Sequence, residues 1–184
     1  MEIYLVRHTT PKIDKGICYG QSDLDTTENF DLESKEILNK ISIDEQTIVY
    51  SSPSKRCTQL ATLFSPDYIE DKRILELNFG DWELKKWDAI PKEEITPWMQ
   101  DFVHVKVPNG ESYTELAERT HSFFKEITEK NHAKVILICH GGVIRSILAK
   151  LTQTELKDSF DIKINYGQIS KITIESTIKI QISI

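Results

Sequence analysis

The stretch Lys134-Val135-Ile136-Leu137-Ile138-Cys139-His140-Gly141-Gly142 decides the fold. Its first six residues are a nearly continuous apolar run, the pattern of a central strand covered on both faces. Behind the glycine pair, Val143, Ile144, Ile147, Leu148 and Leu151 recur at helical spacing, so a helix follows the strand directly. Two other segments repeat this grammar. Glu2-Ile3-Tyr4-Leu5-Val6 is a short buried strand that ends at Arg7-His8. Thr47-Ile48-Val49-Tyr50 is another, followed by Ser51-Ser52-Pro53. There Ser52 is predicted as N-cap and Pro53 as the first helical residue, with Cys57, Leu60, Ala61 and Phe64 forming the buried stripe. Arg56 then falls in the first turn of that helix.

The remaining segments fit around these three units. Residues 9–27 carry Pro11, Gly16, Gly20 and several Asp, which is loop chemistry. Residues 28–41 read as a charged surface helix, and residues 79–102, with Trp82, Trp87 and Trp98, as an irregular, partly helical insertion. Pro108-Asn109-Gly110 is a turn. Ser112 and Glu115 fit a capping box for a helix facing inward through Tyr113, Leu116, Thr120, Phe123 and Ile127. Ile178, Ile180, Ile182 and Ile184 alternate with polar residues, which together with Ile172 and Ile174 predicts a terminal antiparallel pair. Strands alternating with helices give an α/β three-layer sandwich, a mostly parallel central sheet with helices on both faces. Neither a repeat nor a linker interrupts residues 1–184, so a single domain is expected.

The net charge of −6 lacks the basic stripe of a nucleic-acid binder and disfavours anionic membranes. Cys18, Cys57 and Cys139 are odd in number and widely spaced, as reduced thiols are, and form no zinc pattern. The expected setting is cytoplasmic, as a monomer or homodimer, since no apolar run reaches membrane-span length and no leader pattern is evident.

Open α/β sheets bind ligands beyond the carboxyl ends of their strands. Here those ends bring Arg7-His8, Arg56 and His140-Gly141-Gly142 to one edge, a cationic cluster on an acidic protein. Arg forks match phosphate oxygens, and glycines at a helix N-terminus admit an anion to the backbone N–H groups. A neutral His can attack phosphorus while a cationic one stabilises the transition state. No carboxylate cluster suggests a divalent metal, and no cofactor is expected. Glu76, flanked by Leu75 and Leu77, is the candidate proton donor, with burial expected to keep it protonated; Glu83 is its competitor. His104, His121 and His132 read as surface residues.

A rival reading exists. Cys139 to Arg145 is literally Cys-x5-Arg between a strand and a helix, the spacing of cysteine-dependent phosphatases. It would make Cys139 the nucleophile, although Cys139 sits inside an apolar run.

The ordered set of motifs resembles the histidine phosphatase superfamily, the phosphoglycerate mutase-like fold. Its Leu-x-Arg-His-Gly appears as Leu5-Val6-Arg7-His8-Thr9, and its Ser-Ser-Pro followed by Arg as Ser51-Ser52-Pro53 and Arg56. Glu76 precedes Gly80-Asp81-Trp82-Glu83, Gly110-Glu111-Ser112 precedes a long helix, and His140-Gly141-Gly142 comes late, all in family order. The resemblance implies a phosphatase that carries phosphate on His8, with Arg7, Arg56 and His140 holding it and Glu76 as acid and then base. Thr9, Gln21 and Gly141 are further candidate substrate contacts. Three departures stand out: Thr9 replaces Gly, Thr10 replaces an acidic residue, and Asp14 stands where the family has Asn. Arg7-His8-Thr9-Thr10-Pro11 with Cys18-Tyr19-Gly20-Gln21-Ser22-Asp23 looks most like the α-ribazole phosphatase branch of cobalamin assembly. Phe79, Trp82 and Trp87 could pack against its aromatic leaving group. A broad-specificity phosphatase, a phosphoglycerate mutase-type phosphotransferase and a catalytically silent phosphate or phosphoprotein binder are the alternatives.

Overall fold

Successive buried residues of the central strands point to opposite faces and sort the core into two layers. Ile3, Leu5, Val135, Leu137 and Cys139 point to one face, Tyr4, Val6, Ile136 and Ile138 to the other. This is the period-two consequence of a strand. The computed structural model describes residues 1–130, 132–175 and 178–182. In chain order its elements are β1 (Glu2–Arg7), α1 (Phe30–Leu38), β2 (Thr47–Ser51), α2 (Lys55–Phe64), β3 (Ile69–Glu70), α3 (Lys92–Gln100), α4 (Tyr113–Glu129), β4 (Lys134–Cys139), α5 (Gly141–Thr152), β5 (Ile169–Ile174) and β6 (Ile178–Ile182).

The strands form one sheet in the order β3-β2-β4-β1-β5-β6. The β2–β3, β2–β4 and β1–β4 pairs are parallel, and β1–β5 and β5–β6 are antiparallel. The mostly parallel sheet and the terminal antiparallel pair are both present, and β4 is central as its composition requires. Helices α4 and α5 cover one face through Phe123, Ile127, Val143, Ile144, Ile147 and Leu148. Helices α1 and α2 cover the other through Ile37, Cys57, Leu60, Ala61 and Phe64. Ile184 lies outside the described residues. Among the described residues, no helix is long and apolar enough to cross a membrane.

Strong local signals form the elements that they predict. The capping box at α4 is complete: Ser112 Oγ accepts from Glu115 N at 3.2 Å, and Glu115 Oε2 accepts from Ser112 N at 2.8 Å. The predicted cap of α2 is not. The N-cap position belongs to Ser54, whose side chain caps nothing, and Ser52 lies in the preceding turn with its hydroxyl committed elsewhere. The charged helix is shorter than residues 28–41. The segment around residues 79–102 is irregular as expected, with 3-10 turns at Gly80–Trp82 and Trp87–Ala89 before α3. Trp82 is fully buried there in a satellite core with Cys18, Ile90 and Val107, so it is unavailable to a leaving group. Of the outlying histidines, His104 pairs with Asp101 at 2.9 Å, half-buried His121 lies 2.8 Å from Ser146 O, and the His132 ring lies 6.5 Å from that of Tyr50.

Candidate active site

Three adjacent parallel strands, β2, β4 and β1, end side by side, and their hydrogen bonding continues past the ends. His8 N donates to Cys139 O at 3.0 Å, and Ser52 N donates to Ile138 O at 2.9 Å. The backbone therefore fixes His8, Ser52 and His140 at one sheet edge before any side chain contributes.

Arg56 joins them. It is completely buried in the first turn of α2 and makes four directed contacts. Nη1 donates to Ser22 O at 2.8 Å and Nη2 to Gly20 O at 2.7 Å, tying down the loop of residues 9–27. Nε donates to His8 Nε2 at 3.3 Å, and Nη2 approaches His140 Nδ1 at 3.3 Å. A guanidinium N–H only donates, so both histidine nitrogens are acceptors here. His8 then carries its proton on Nδ1, which donates to Thr9 O at 2.7 Å, and its Nε2 lone pair faces the guanidinium. That is the tautomer a nucleophilic Nε2 needs. His140 carries its proton on Nε2, 2.7 Å from Ser52 Oγ. The two rings lie edge to face with centroids 5.1 Å apart.

Burial holds both imidazoles well below their ordinary pKa, with Arg56 next in importance for each. For His8 this agrees with the neutral form expected of a nucleophile. For His140 it argues against the expectation of a standing cation: burial first, then the Arg56 and Arg7 guanidinium groups, disfavour its charged form unless an anion offsets them.

Arg7 completes the cationic cluster. Its Nη1 donates to Ile164 O at 2.6 Å, its guanidinium lies 3.9 Å from the Tyr166 ring centroid, and its buried Nε has no partner among the described residues. A buried donor in that state gains from an anion. Thr9 Oγ1 is likewise buried without a partner, and its carbonyl orients His8. Asp14 is exposed to solvent.

Glu76 is half-buried, not buried as expected from its apolar neighbours. Its Oε2 accepts from Gly142 N at 3.2 Å and its Oε1 from Leu77 N at 3.0 Å. The N-terminus of α5 thus already donates to the protein's own carboxyl group. A Cβ at Gly142 would meet Glu76 Oε1 at 2.4 Å, so a side chain there would displace the Glu76 carboxyl group from Gly142 N. A Cβ at Gly141 would press on Arg145 Nη1 at 3.1 Å and on Arg7. The side chain of Gln21 holds a backbone carbonyl, its Nε2 donating to Glu76 O at 2.9 Å. Glu83 accepts from Gln21 N at 2.8 Å, from Phe79 N at 3.1 Å and from Ser22 Oγ. Those three bonds use Glu83 to organise the loop.

Beside this cluster lies a cavity of about 290 Å3. Arg7, Glu76 and Arg145 supply its charge, and Tyr19, Phe79, Trp87, Tyr113 and Phe160 its aromatic walls. Glu83 is not among its lining residues. Over His8, Tyr19 and Tyr166 meet hydroxyl to hydroxyl at 2.8 Å, and the Tyr166 ring lies 5.6 Å from that of His8.

Cys139 has no exposed surface, packs in the core beneath α4 and α5, and is pushed well above the ordinary thiol range by burial. A thiolate nucleophile needs the opposite environment. Arg145, the other end of the Cys-x5-Arg pattern, reaches the cavity instead.

Sequence reading missed the parts played by Ser52, Tyr19, Arg119, Arg145 and Tyr166. Arg119 donates to Arg73 O, Leu75 O and Glu76 O at 2.7–2.9 Å and pairs with Glu111 at 2.6 Å, fixing the Glu76 backbone. Its three carbonyl partners lie more than forty residues away, so no local pattern announces that role. Among the described residues, no group of three or more His, Cys, Asp or Glu could hold a metal ion.

Comparison with known proteins agrees with this geometry. The metal-independent phosphoserine phosphatase of Arabidopsis thaliana is 30% identical over 164 residues, covering 83% of this chain and 69% of that protein. The adenosylcobalamin/α-ribazole phosphatase of Escherichia coli is 26% identical over 187 residues, covering 95% and 90%. The crystal structure of the α-ribazole phosphatase from Shigella flexneri superposes with a TM-score of 0.88 at 20% identity, covering 100% of this chain and 96% of that one, and shares the phosphoglycerate mutase-like fold. The model of the histidine phosphatase superfamily (branch 1) matches residues 3–179, and the chain belongs to that family.

Proposed function

We propose that this phosphatase hydrolyses a small phosphomonoester in two steps through a phosphohistidine on His8, without a metal ion. The observation that carries the reading is the Arg56 bridge between two buried, neutral imidazoles, with an unpartnered Arg7 donor alongside. In the first step His8 Nε2 attacks phosphorus, the bond to the leaving oxygen breaks, and Glu76 gives that oxygen its proton. Arg7, Arg56 and His140 hold the equatorial oxygens. In the second step Glu76 takes a proton from water, the new P–O bond forms and the N–P bond breaks.

For the substrate, the aromatic walls of the cavity favour a leaving group with a flat apolar body, as in α-ribazole-5'-phosphate. A second reading, a phosphoamino acid such as phosphoserine, is favoured by one carboxylate and one guanidinium, Glu76 and Arg145, on the same cavity. Two relatives carry these two activities in their names.

The test is p-nitrophenyl phosphate hydrolysis in excess chelator, with quench-flow trapping of an acid-labile phosphoenzyme. Wild type and Cys139→Ser should turn over and form the intermediate, and His8→Ala should do neither. Retained turnover in His8→Ala overturns the reading. The kcat/KM values for α-ribazole-5'-phosphate and phosphoserine then decide between the two substrates.

A further inference from the structure

Ser52 was expected to cap a helix, and it does not. It sits fully buried between β2 and α2, its backbone is pinned to β4 through Ile138 O, and its Oγ lies 2.7 Å from His140 Nε2. On the other side of the ring, Arg56 Nη2 can only donate to Nδ1. Ser52 must therefore accept from Nε2–H, leaving its own proton for Ser54 Oγ at 3.3 Å.

We propose that Ser52 is a positioning residue that locks the Nε2–H tautomer of His140, so that binding of a tetrahedral dianion requires His140 to take up one proton. An anionic oxygen brought to Arg56 meets the Nδ1 lone pair of His140. That repulsion becomes a charge-assisted hydrogen bond only when Nδ1 is protonated. The imidazolium keeps its Nε2–H on Ser52 and adds an Nδ1–H for the anion.

The groups that oppose a charge on the ring when no anion is present come from three elements. Arg7 and His8 lie at the end of β1, Arg56 on α2, and Arg119 on α4. Cys57 Sγ, 3.7 Å from Nε2, is a neutral thiol, pushed up to about 12 by burial, and Cys139 at the end of β4 is neutral as well. The carboxyl group of Glu76 accepts from Gly142 N–H at the start of α5. The proton therefore arrives from solvent together with the anion. This inference rests on the reading of the strand-end cluster as the phosphate site.

Sulfate is the probe, because it is a tetrahedral dianion that does not titrate near neutral pH. Its affinity is followed by NMR titration between about pH 6.5 and 8.5, which needs no turnover. A failure of phosphatase chemistry and a failure of this proposal are thus separate results. In wild type and Ser52→Thr the affinity should fall about tenfold per pH unit, the slope of one proton. In Ser52→Ala Nε2–H loses its acceptor at 2.7 Å and only the longer Arg56 contact at 3.3 Å still favours that tautomer, so the fall should be shallower than in wild type, less than about threefold per unit if Ser52 is the main lock. A tenfold slope that persists in Ser52→Ala, or a flat wild type, overturns the proposal. Should Ser52→Ala not fold, the ring nitrogen shifts of the wild type decide. Nδ1 must be unprotonated in the free protein and protonated with sulfate, and an Nδ1–H in the free protein overturns the proposal.

Discussion

The two halves of the site are built differently. The phosphate half, His8, Arg56 and His140, stands on strand ends and a helix turn, and these three residues have at most 1% of their surface exposed. The leaving-group half, Glu76, Phe79, Trp87 and Phe160, stands on loops and 3-10 turns, half-buried or exposed. A phosphoryl group is the same in every phosphomonoester, so its cradle can be rigid and shared. The leaving group varies, and the segments that meet it can change without disturbing the sheet. Fixed chemistry thus stands on regular structure, and most of the adjustable wall on irregular segments, with Tyr113 on α4 and Arg145 on α5 as exceptions.

The strongest test of that division is in the phosphate half. His8→Ala should lower kcat/KM by on the order of 10⁴-fold or more for every substrate alike, read by steady-state kinetics. A loss confined to one substrate class would erase the distinction between the halves.

Glu76→Gln should lower kcat by roughly 10²- to 10⁴-fold on an alkyl phosphate, whose leaving oxygen needs a proton. On p-nitrophenyl phosphate, whose phenolate leaves unaided, the loss should be far smaller. Glu83→Gln should lower the melting temperature instead, since three loop hydrogen bonds weaken, and affect both substrates equally. A leaving-group dependence in Glu83→Gln and none in Glu76→Gln would exchange their roles.

Stability should also report the phosphate half. Unfolded imidazole takes up its proton near pH 6.5, whereas folded His8 and His140 resist it until well below. Below pH 6.5 the unfolded chain therefore binds more protons, and stability falls as pH drops, by up to about 1.4 kcal/mol per unit for each ring. Thermal melts from pH 7.5 downward should show the decline, with a shallower slope in His8→Ala.

The smallest effect belongs to the leaving-group half. Trp87→Ala should raise KM for α-ribazole-5'-phosphate by about twofold to tenfold, the worth of one aromatic contact, and leave phosphoserine unaffected. Equal effects on both would mean that Trp87 only packs.

Local patterns carried the reading of the elements that hold the site. The apolar run of β4, the stripe of α2 and the capping box of α4 lie within a few residues of one another along the chain, and each was legible. Ser52 shows where that reasoning stops. Its place before Pro53 has the composition of a cap, yet a partner 88 residues away takes its hydroxyl. Glu76 reads as buried among leucines, but the loop that carries it opens on the cavity.

The sequence by itself determined the α/β architecture, the strand ends that bear Arg7, His8 and His140, and the turn that bears Arg56. Periodicity, capping and ligand-binding motifs are properties of neighbouring residues. Only the tertiary structure decided the tautomers of the two histidines, the neutral state of His140, the anchoring of Glu76 by Arg119 and the burial of Cys139. Those depend on the pairing of β2, β4 and β1, which brings Arg56 within 3.3 Å of a histidine 84 residues away and removes both from water. Charge and hydrogen bonding respond to that distance and dielectric, and neither is written in any one stretch of chain.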